Sequence, residues 1–342
     1  MTMFVGVSDM AHWIRTVGPE VIIDQMSHEI EADFKRWRSF DLVPRLASHT
    51  PIGVIELMPT SDGTSYAFKY VNGHPSNPAR GFQTVTAFGA LADADNGYPV
   101  LLAEMTLLTA VRTAATSAMV SRLLARPDSR RMALIGAGSQ AEFQALGHRA
   151  ALGINQIAIW DTDPDAARKA ERNLLGLGFE VHVADSAHAA VAGSDVVTTC
   201  TADKIQATVL YDAWVEPGMH LNAIGGDCPG KTELETVILD RGPVFVEHTP
   251  QTRIEGEIQH RDGEFPVIEL WRVILNEQHG RETPEQVTIF DSVGFAIEDF
   301  SALRYLHASV RANGTYTDID LVAEPEDPKD LFGMVGAPVP AL

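Results

Sequence analysis

Leu134-Ile135-Gly136-Ala137-Gly138-Ser139-Gln140-Ala141 is the stretch on which the reading of the fold turns. Its spacing is G-x-G-x-x-A. It follows the apolar run Met132–Ile135 and opens a helical pattern, a context that makes a weak motif informative. Gly136 permits a tight turn, Gly138 lets the backbone approach a pyrophosphate, and Ala141 keeps helix and strand close. The helix N-terminus adds free N–H groups and positive potential for an anion. The next strand candidate, Gln156–Asp161, ends on a carboxylate 25 positions after Gly136 (161 − 136). An acid there accepts ribose hydroxyls and repels a 2′-phosphate, so NAD is favoured over NADP. A Gly-rich turn of some other α/β protein explains the glycines, but not strand, helix and terminal Asp161 together.

Outward from this motif, short β-branched runs alternate with helical patterns. Strands are expected at Glu180–Val183, Ser194–Thr199, His220–Ile224, Val244–Glu247 and Val287–Asp291, with a helix at Pro164–Leu177. Such alternation predicts an α/β fold: a Rossmann-type, doubly wound parallel sheet covered by helices. The first part reads differently. A helix is expected over Glu20–Trp37, then extended stretches at Val54–Met58, Ser65–Val71, Gln83–Leu91 and Pro99–Leu102, broken by Asp62-Gly63 and Asn72-Gly73. A long helix, about Met105–Ala125, is stopped by Pro127, and another is expected over Ala296–Ala312. The expected division is an α+β substrate domain over residues 1–115, the nucleotide domain over 116–312, and a segment 313–342 returning to the first. From about Ala323 the prolines and acids suggest an extended arm or frayed end.

With 342 residues the chain can hold two cores. Against 46 acidic residues there are 26 basic ones, a formal net charge of −20. That surface repels polyphosphates and anionic lipid heads, which argues against nucleic-acid or membrane partners. An anionic substrate must then be held by a local group of cations working against the global field. The first twenty residues lack the charge and apolar pattern of a signal peptide. Cys200 and Cys228 form no CxxC pair, which excludes a disulfide scaffold or thiolate zinc site and suggests a reducing, cytoplasmic setting.

Few residues stand out for chemistry. Asp227 lies in Ile224-Gly225-Gly226-Asp227-Cys228-Pro229-Gly230-Lys231, just beyond a strand end, where ligands of open parallel sheets sit. The two glycines allow a close approach to a flat ring such as nicotinamide. A plain turn with Asp227 as a helix cap reads slightly better from these residues alone. Arg112 interrupts an apolar helix with no acid beside it, so it must find an anion or reach solvent. Arg45 and Lys69, taken singly, read as surface charges, and Glu56 in Val54-Ile55-Glu56-Leu57-Met58 reads as an outward-facing strand residue. Neither Cys228 nor the 12 histidines suggest a thiol nucleophile or a metal set.

Several blocks together resemble the ornithine cyclodeaminase/μ-crystallin family. They include Asp33–Trp37, Val54–Pro59, Ala67–Pro75, Leu221–Leu234, Pro250–Gln259, Phe290–Ala296 and Asp327–Phe332, so the resemblance covers nearly the whole chain. It implies that Arg45, Lys69 and Arg112 bind a substrate α-carboxylate, that Glu56 holds a distal amino group, and that Asp227 binds the α-amino group and acts as general base. It also implies an NAD site lined by Thr84, Arg112, Thr113, Ser139, Gln140, Asp161, Thr201, Ile224, Gly225, Gly226, Lys231 and Ser292, besides Gly136 and Gly138. The implied reaction converts L-ornithine to L-proline and ammonia, through hydride transfer from Cα, attack of the δ-amine on the imine, and hydride return. The family further implies a homodimer built through the first domain. An amino-acid dehydrogenase, a lysine cyclodeaminase, a ketimine reductase and a non-enzymatic binding protein remain as alternatives.

Overall fold

The computed structural model describes residues 1–202 and 207–336. In chain order its elements are β1 (Thr2–Val5), α1 (Val7–Val17), α2 (Pro19–Lys35), β2 (Leu46–Thr50), β3 (Gly53–Ser61), β4 (Ser65–Gly73), β5 (Val85–Asp93), β6 (Pro99–Glu104) and α3 (Thr106–Leu124). The second half continues with β7 (Arg131–Ile135), α4 (Ala141–Leu152), β8 (Gln156–Trp160), α5 (Pro164–Gly176), β9 (Glu180–Val183), α6 (Ala187–Val191) and β10 (Val196–Thr199). Then follow β11 (His220–Ala223), β12 (Val244–Val246), α7 (Thr249–Glu255), β13 (Ile268–Glu269), α8 (Leu270–Ile274), β14 (Thr288–Asp291), α9 (Ala296–Asn313) and β15 (Thr317–Ile319). Among the described residues no helix is long and apolar enough to cross a membrane.

Two sheets organise these elements. The second has the order β13-β12-β14-β11-β10-β7-β8-β9, and its pairings are parallel. The chain winds outward from β7 to β9, returns to β10, and then winds the other way. The reversal lies between β7 and β10, and a crevice for ligands opens beyond their carboxyl ends. The first sheet has the order β15-β1-β6-β5-β4-β3-β2 and is antiparallel except for β1 beside β6. The short strands β1, β2, β13 and β15, two to five residues long, are too brief to carry a period; α1 also escapes the sequence reading, although it has an apolar face with Met10 and Trp13 buried.

In the first sheet Glu56 lies opposite Val71 and Met58 opposite Lys69, so these four side chains share one face. That face is covered by α9, which packs on β3, β4 and β5 and also against α2. A boundary at 115 would cut the continuous helix α3, and a boundary at 312 would assign α9 to the nucleotide half, whereas it lies on the first sheet. An apolar core running from Trp13, Met26 and Phe34 through Leu134 and Ile159 to Phe290 and Phe300 joins the halves.

Helix α3 is the joint. Small residues, Ala114, Ala115, Ser117, Ala118 and Ser121, line much of it and are buried, which lets α4 come close. At the crossing a Cβ placed on Gly147 would lie 2.7 Å from the Ala114 carbonyl oxygen. Neither backbone can yield there without moving a helix. Gly147→Val is therefore expected to lower stability by about 1–3 kcal/mol by overpacking, read as a shift of the urea unfolding midpoint against wild type. An unchanged midpoint would mean that the two helices separate freely.

Candidate active site

The glycine loop is shaped by close packing. Gly136 has φ +108°, and a Cβ there would lie 2.8 Å from the Cys200 carbonyl oxygen, where the loops after β7 and β10 meet. Only glycine satisfies both constraints. Around Gly138 the space is open: an added Cβ would meet nothing within 4 Å. That exposed backbone at the head of α4 is the cradle a pyrophosphate requires. Ser139 is exposed, and Gln140 is the residue before α4. Asp161, just past β8, accepts the Ala137 N–H at 2.6 Å through one oxygen and the Asp163 N–H at 2.8 Å through the other. These residues fit a dinucleotide.

The loop after β11 departs from the sequence reading. Gly225 and Gly226 are buried, and the space their missing Cβ atoms leave is taken from behind by carboxylates. A Cβ on Gly225 would collide with Glu233, and one on Gly226 would lie 2.6 Å from Glu257 Oε1. The glycines thus answer to packing behind the loop as well as to any ring in front. Glu233 accepts the Thr201 N–H at 2.8 Å, and Glu257 accepts the N–H groups of Glu233 and Leu234 at 2.8 and 3.0 Å. Asp227 projects into solvent with its side chain 56% exposed, 3.3 Å from the Lys231 ammonium, which also donates to the Thr201 carbonyl at 3.0 Å. Gln259 pins the loop from below, accepting from Gly230 N–H and donating to the carbonyl of Lys231.

The isolated cations of the sequence prove to be one buried cluster. Arg45, beside the edge strand β2, has its side chain only 7% exposed. Its Nη1 meets both Glu56 oxygens at 3.2 and 3.3 Å, its Nε lies 3.1 Å from Glu255 Oε2, and its Nη2 donates to the Val293 and Gly294 carbonyls at 2.6 and 2.8 Å. Lys69 is 1% exposed and bonds Asp299 at 2.8 Å. Burial first, then the Arg112 guanidinium, brings its ammonium down to about 8 against the pull of Asp299. Arg112 finds its anions on α9: Nη1 bonds Glu298 at 2.8 Å, and Nε lies 3.0 Å from Asp299. Glu56 faces inward and is buried, not outward.

Ser292 is buried after β14 and donates to Glu247 at 2.5 Å; the same carboxylate accepts the Gly294 N–H at 3.1 Å. Ile224 follows β11 and Thr201 follows β10, so both stand at the carboxyl edge of the sheet. Thr113 is one residue from Arg112 on α3 and half-buried. The Thr84 carbonyl accepts the His74 N–H at 2.8 Å.

Residues 7–314 match the ornithine cyclodeaminase/mu-crystallin family. The chain belongs to that family. It is 55% identical to an ornithine cyclodeaminase of Agrobacterium fabrum over 97% of this chain and 94% of the relative. Among solved structures, a lysine cyclodeaminase studied for its recognition of L-lysine, L-ornithine and L-2,4-diaminobutyric acid superposes with TM-score 0.90, at 31% identity over 97% of this chain and 98% of the other. An archaeal alanine dehydrogenase dimer with bound NAD superposes with TM-score 0.86, at 28% identity over 94% and 99%.

In this member of the family the sequence reading missed the acids that answer the cations. Glu255, Glu298 and Asp299 leave a signal only in retrospect: Glu298-Asp299 is an acid pair inside the apolar run Phe295-Ala296-Ile297…Phe300. Burial raises Glu298 and Glu247 above the usual carboxylate range. It also lifts Asp291 to about 7, although Asp291 accepts the N–H groups of Glu257 and Ile258. From about pH 4 to pH 7 the folded protein keeps a proton on Asp291 that the unfolded chain has released. This group's contribution to stability therefore falls as pH rises through that window. Asp291→Asn removes that slope. Its stability relative to wild type is expected to climb between pH 5 and 7 by up to about 1.4 kcal/mol per pH unit. Urea unfolding at several pH values measures this, and a constant difference would mean Asp291 is already ionised at pH 5.

Proposed function

We propose that the protein converts L-ornithine to L-proline and ammonia with NAD. The observation that carries this reading is the convergence of three buried cations and one inward-facing acid, Arg45, Lys69, Arg112 and Glu56, between the two sheets. Ornithine has a complementary pattern, with one carboxylate and a distal ammonium. Arg45, Lys69 and Arg112 take the α-carboxylate. Glu56 takes the distal ammonium and so bends the chain back toward Cα, which ring closure demands. Asp227, placed at the mouth near enough to influence Arg45 and Glu255, takes a proton from the α-amino group as general base. Its exposure and its Lys231 neighbour let that proton move on. Lower identity to the lysine enzyme than to the ornithine enzyme supports ornithine as the preferred diamine.

The nucleotide reading rests on Gly136, Gly138, Ser139, Gln140 and Asp161, with Thr84, Arg112, Thr113, Thr201, Ile224, Gly225, Gly226, Lys231 and Ser292 completing the NAD site. Held by these residues, NAD would supply reversible hydride acceptance from the substrate Cα, and turnover would need no second redox partner. Asp161 sets the preference for NAD, since its carboxylate repels a 2′-phosphate. We divide the chain into a substrate unit of the first sheet with α9 and β15, and a nucleotide unit of the second sheet. A cytoplasmic location agrees with the absence of disulfides among the described residues.

Incubation with L-ornithine and catalytic NAD⁺ is expected to yield proline and ammonia in equal amounts with no net NADH, and NADP⁺ is expected to support far less. Asp227→Asn should slow turnover by about 10²–10⁴-fold. Net NADH formation, or near-normal turnover of the variant, would overturn the reading.

The outer face of the first sheet supports a homodimer. Ile55, Tyr66 and Phe88 are 37%, 41% and 45% exposed, and Tyr70 stacks on Phe88 with ring centroids 5.0 Å apart. An aromatic patch of this kind on a sheet surface calls for a partner. Sedimentation velocity at micromolar concentration is expected to show a dimer, and Phe88→Asp to weaken it. A monomeric wild type would exclude this face as an interface.

A further inference from the structure

Arg45 is held from three directions, and the three are not equivalent. On one edge, Nη2 donates to two main-chain carbonyls, of Val293 and Gly294, and Nε lies 3.1 Å from Glu255 Oε2 in an ion pair without hydrogen-bond geometry. On the other, Nη1 meets only the Glu56 carboxylate, at 3.2 and 3.3 Å. The side chains of Arg45, Glu56 and Glu255 are 7%, 9% and 7% exposed, so little water can substitute for a lost partner. The carbonyls cannot leave without displacing the Ser292–Gly294 loop, which Glu247 and Gln251 hold through Ser292 Oγ, the Gly294 N–H and the Gly294 carbonyl. Glu255 closes α7 and is itself buried. The exchangeable side of the guanidinium is therefore Nη1.

We infer that Glu255 is a positioning residue that locks the Nε side of Arg45, so that the substrate carboxylate can enter only by displacing Glu56 from Nη1. This rests on the assignment of Arg45 to the α-carboxylate and Glu56 to the distal ammonium. Displacement then becomes an exchange of partners. Arg45 trades the Glu56 carboxylate for that of the substrate, and Glu56 trades a guanidinium for the substrate's distal ammonium. No charge is left unpaired when the ligand is a diamino acid. With a monoamino acid of the same length, such as L-norvaline, Glu56 is set free and finds no cation, and an unpaired buried carboxylate is costly. Selection for the distal amine is thereby enforced at the carboxylate end of the ligand. Without Glu255, a carboxylate could take the Nε side, Glu56 would stay on Nη1, and the two ends of the ligand would be uncoupled.

The test compares wild type, Glu255→Ala, Glu255→Gln and Glu56→Ala as NAD-loaded enzymes. It reads kcat and KM for L-ornithine and the inhibition constant of L-norvaline. The inference expects Glu255→Ala to raise the ornithine KM about 10- to 100-fold, with a smaller change in kcat, and to bind norvaline more tightly relative to ornithine than wild type does. Glu255→Gln keeps an acceptor of the same size at Nε and should recover most of the discrimination. It also serves as the informative variant if Glu255→Ala does not fold. If Glu56→Ala loses discrimination while both Glu255 variants keep the wild-type ratio, the inference falls and the functional reading stands. If Glu56→Ala itself keeps the ratio, the assignment of the distal amine falls, and this inference with it.

Discussion

The pairing of Arg112 with Glu298 and Asp299 is the contact on which the arrangement of the site depends. It joins α3, which runs between the halves, to α9, which covers the first sheet, and Asp299 passes the link on to Lys69. Burying four charged groups of this kind costs several kcal/mol per ion, and the mutual attraction regains it only with good geometry. Such a cluster is weak evidence of stability. Its value is positional, since each group has few alternative partners within reach and the two halves must meet in the one way that pairs them.

A second set of acids does comparable work behind the glycine loop. Glu233 accepts the Thr201 N–H, Glu257 the Glu233 N–H and Asp291 the Glu257 N–H, while Glu233 and Glu257 fill the space that Gly225 and Gly226 leave and Asp291 that beside Gly256. Burial drives all three above the usual carboxylate range.

The nucleotide half was legible from the sequence because its determinants are local. A turn at Gly136, an open approach at Gly138 and an acid closing β8 act within thirty residues, and short continuous β-branched and apolar runs mark most of the parallel strands. The substrate cluster was not legible in that way. Arg45, Glu56, Glu255 and Gly294 are distant in sequence and meet only when the edge of one sheet is brought against the end of the other. Read singly, Arg45 and Lys69 had the statistics of surface charges, and Glu56 those of an outward strand residue.

What the sequence by itself determined was the Rossmann-type half, the cofactor class and, through blocks of resemblance, the family. Tertiary structure alone decided that three scattered cations share one buried volume, which acids neutralise them, and that α9 belongs over the first sheet. The reason is physical: backbone turns and strand periodicity are written in neighbouring residues, whereas the partner of a buried charge is chosen by whatever packing excludes water around it.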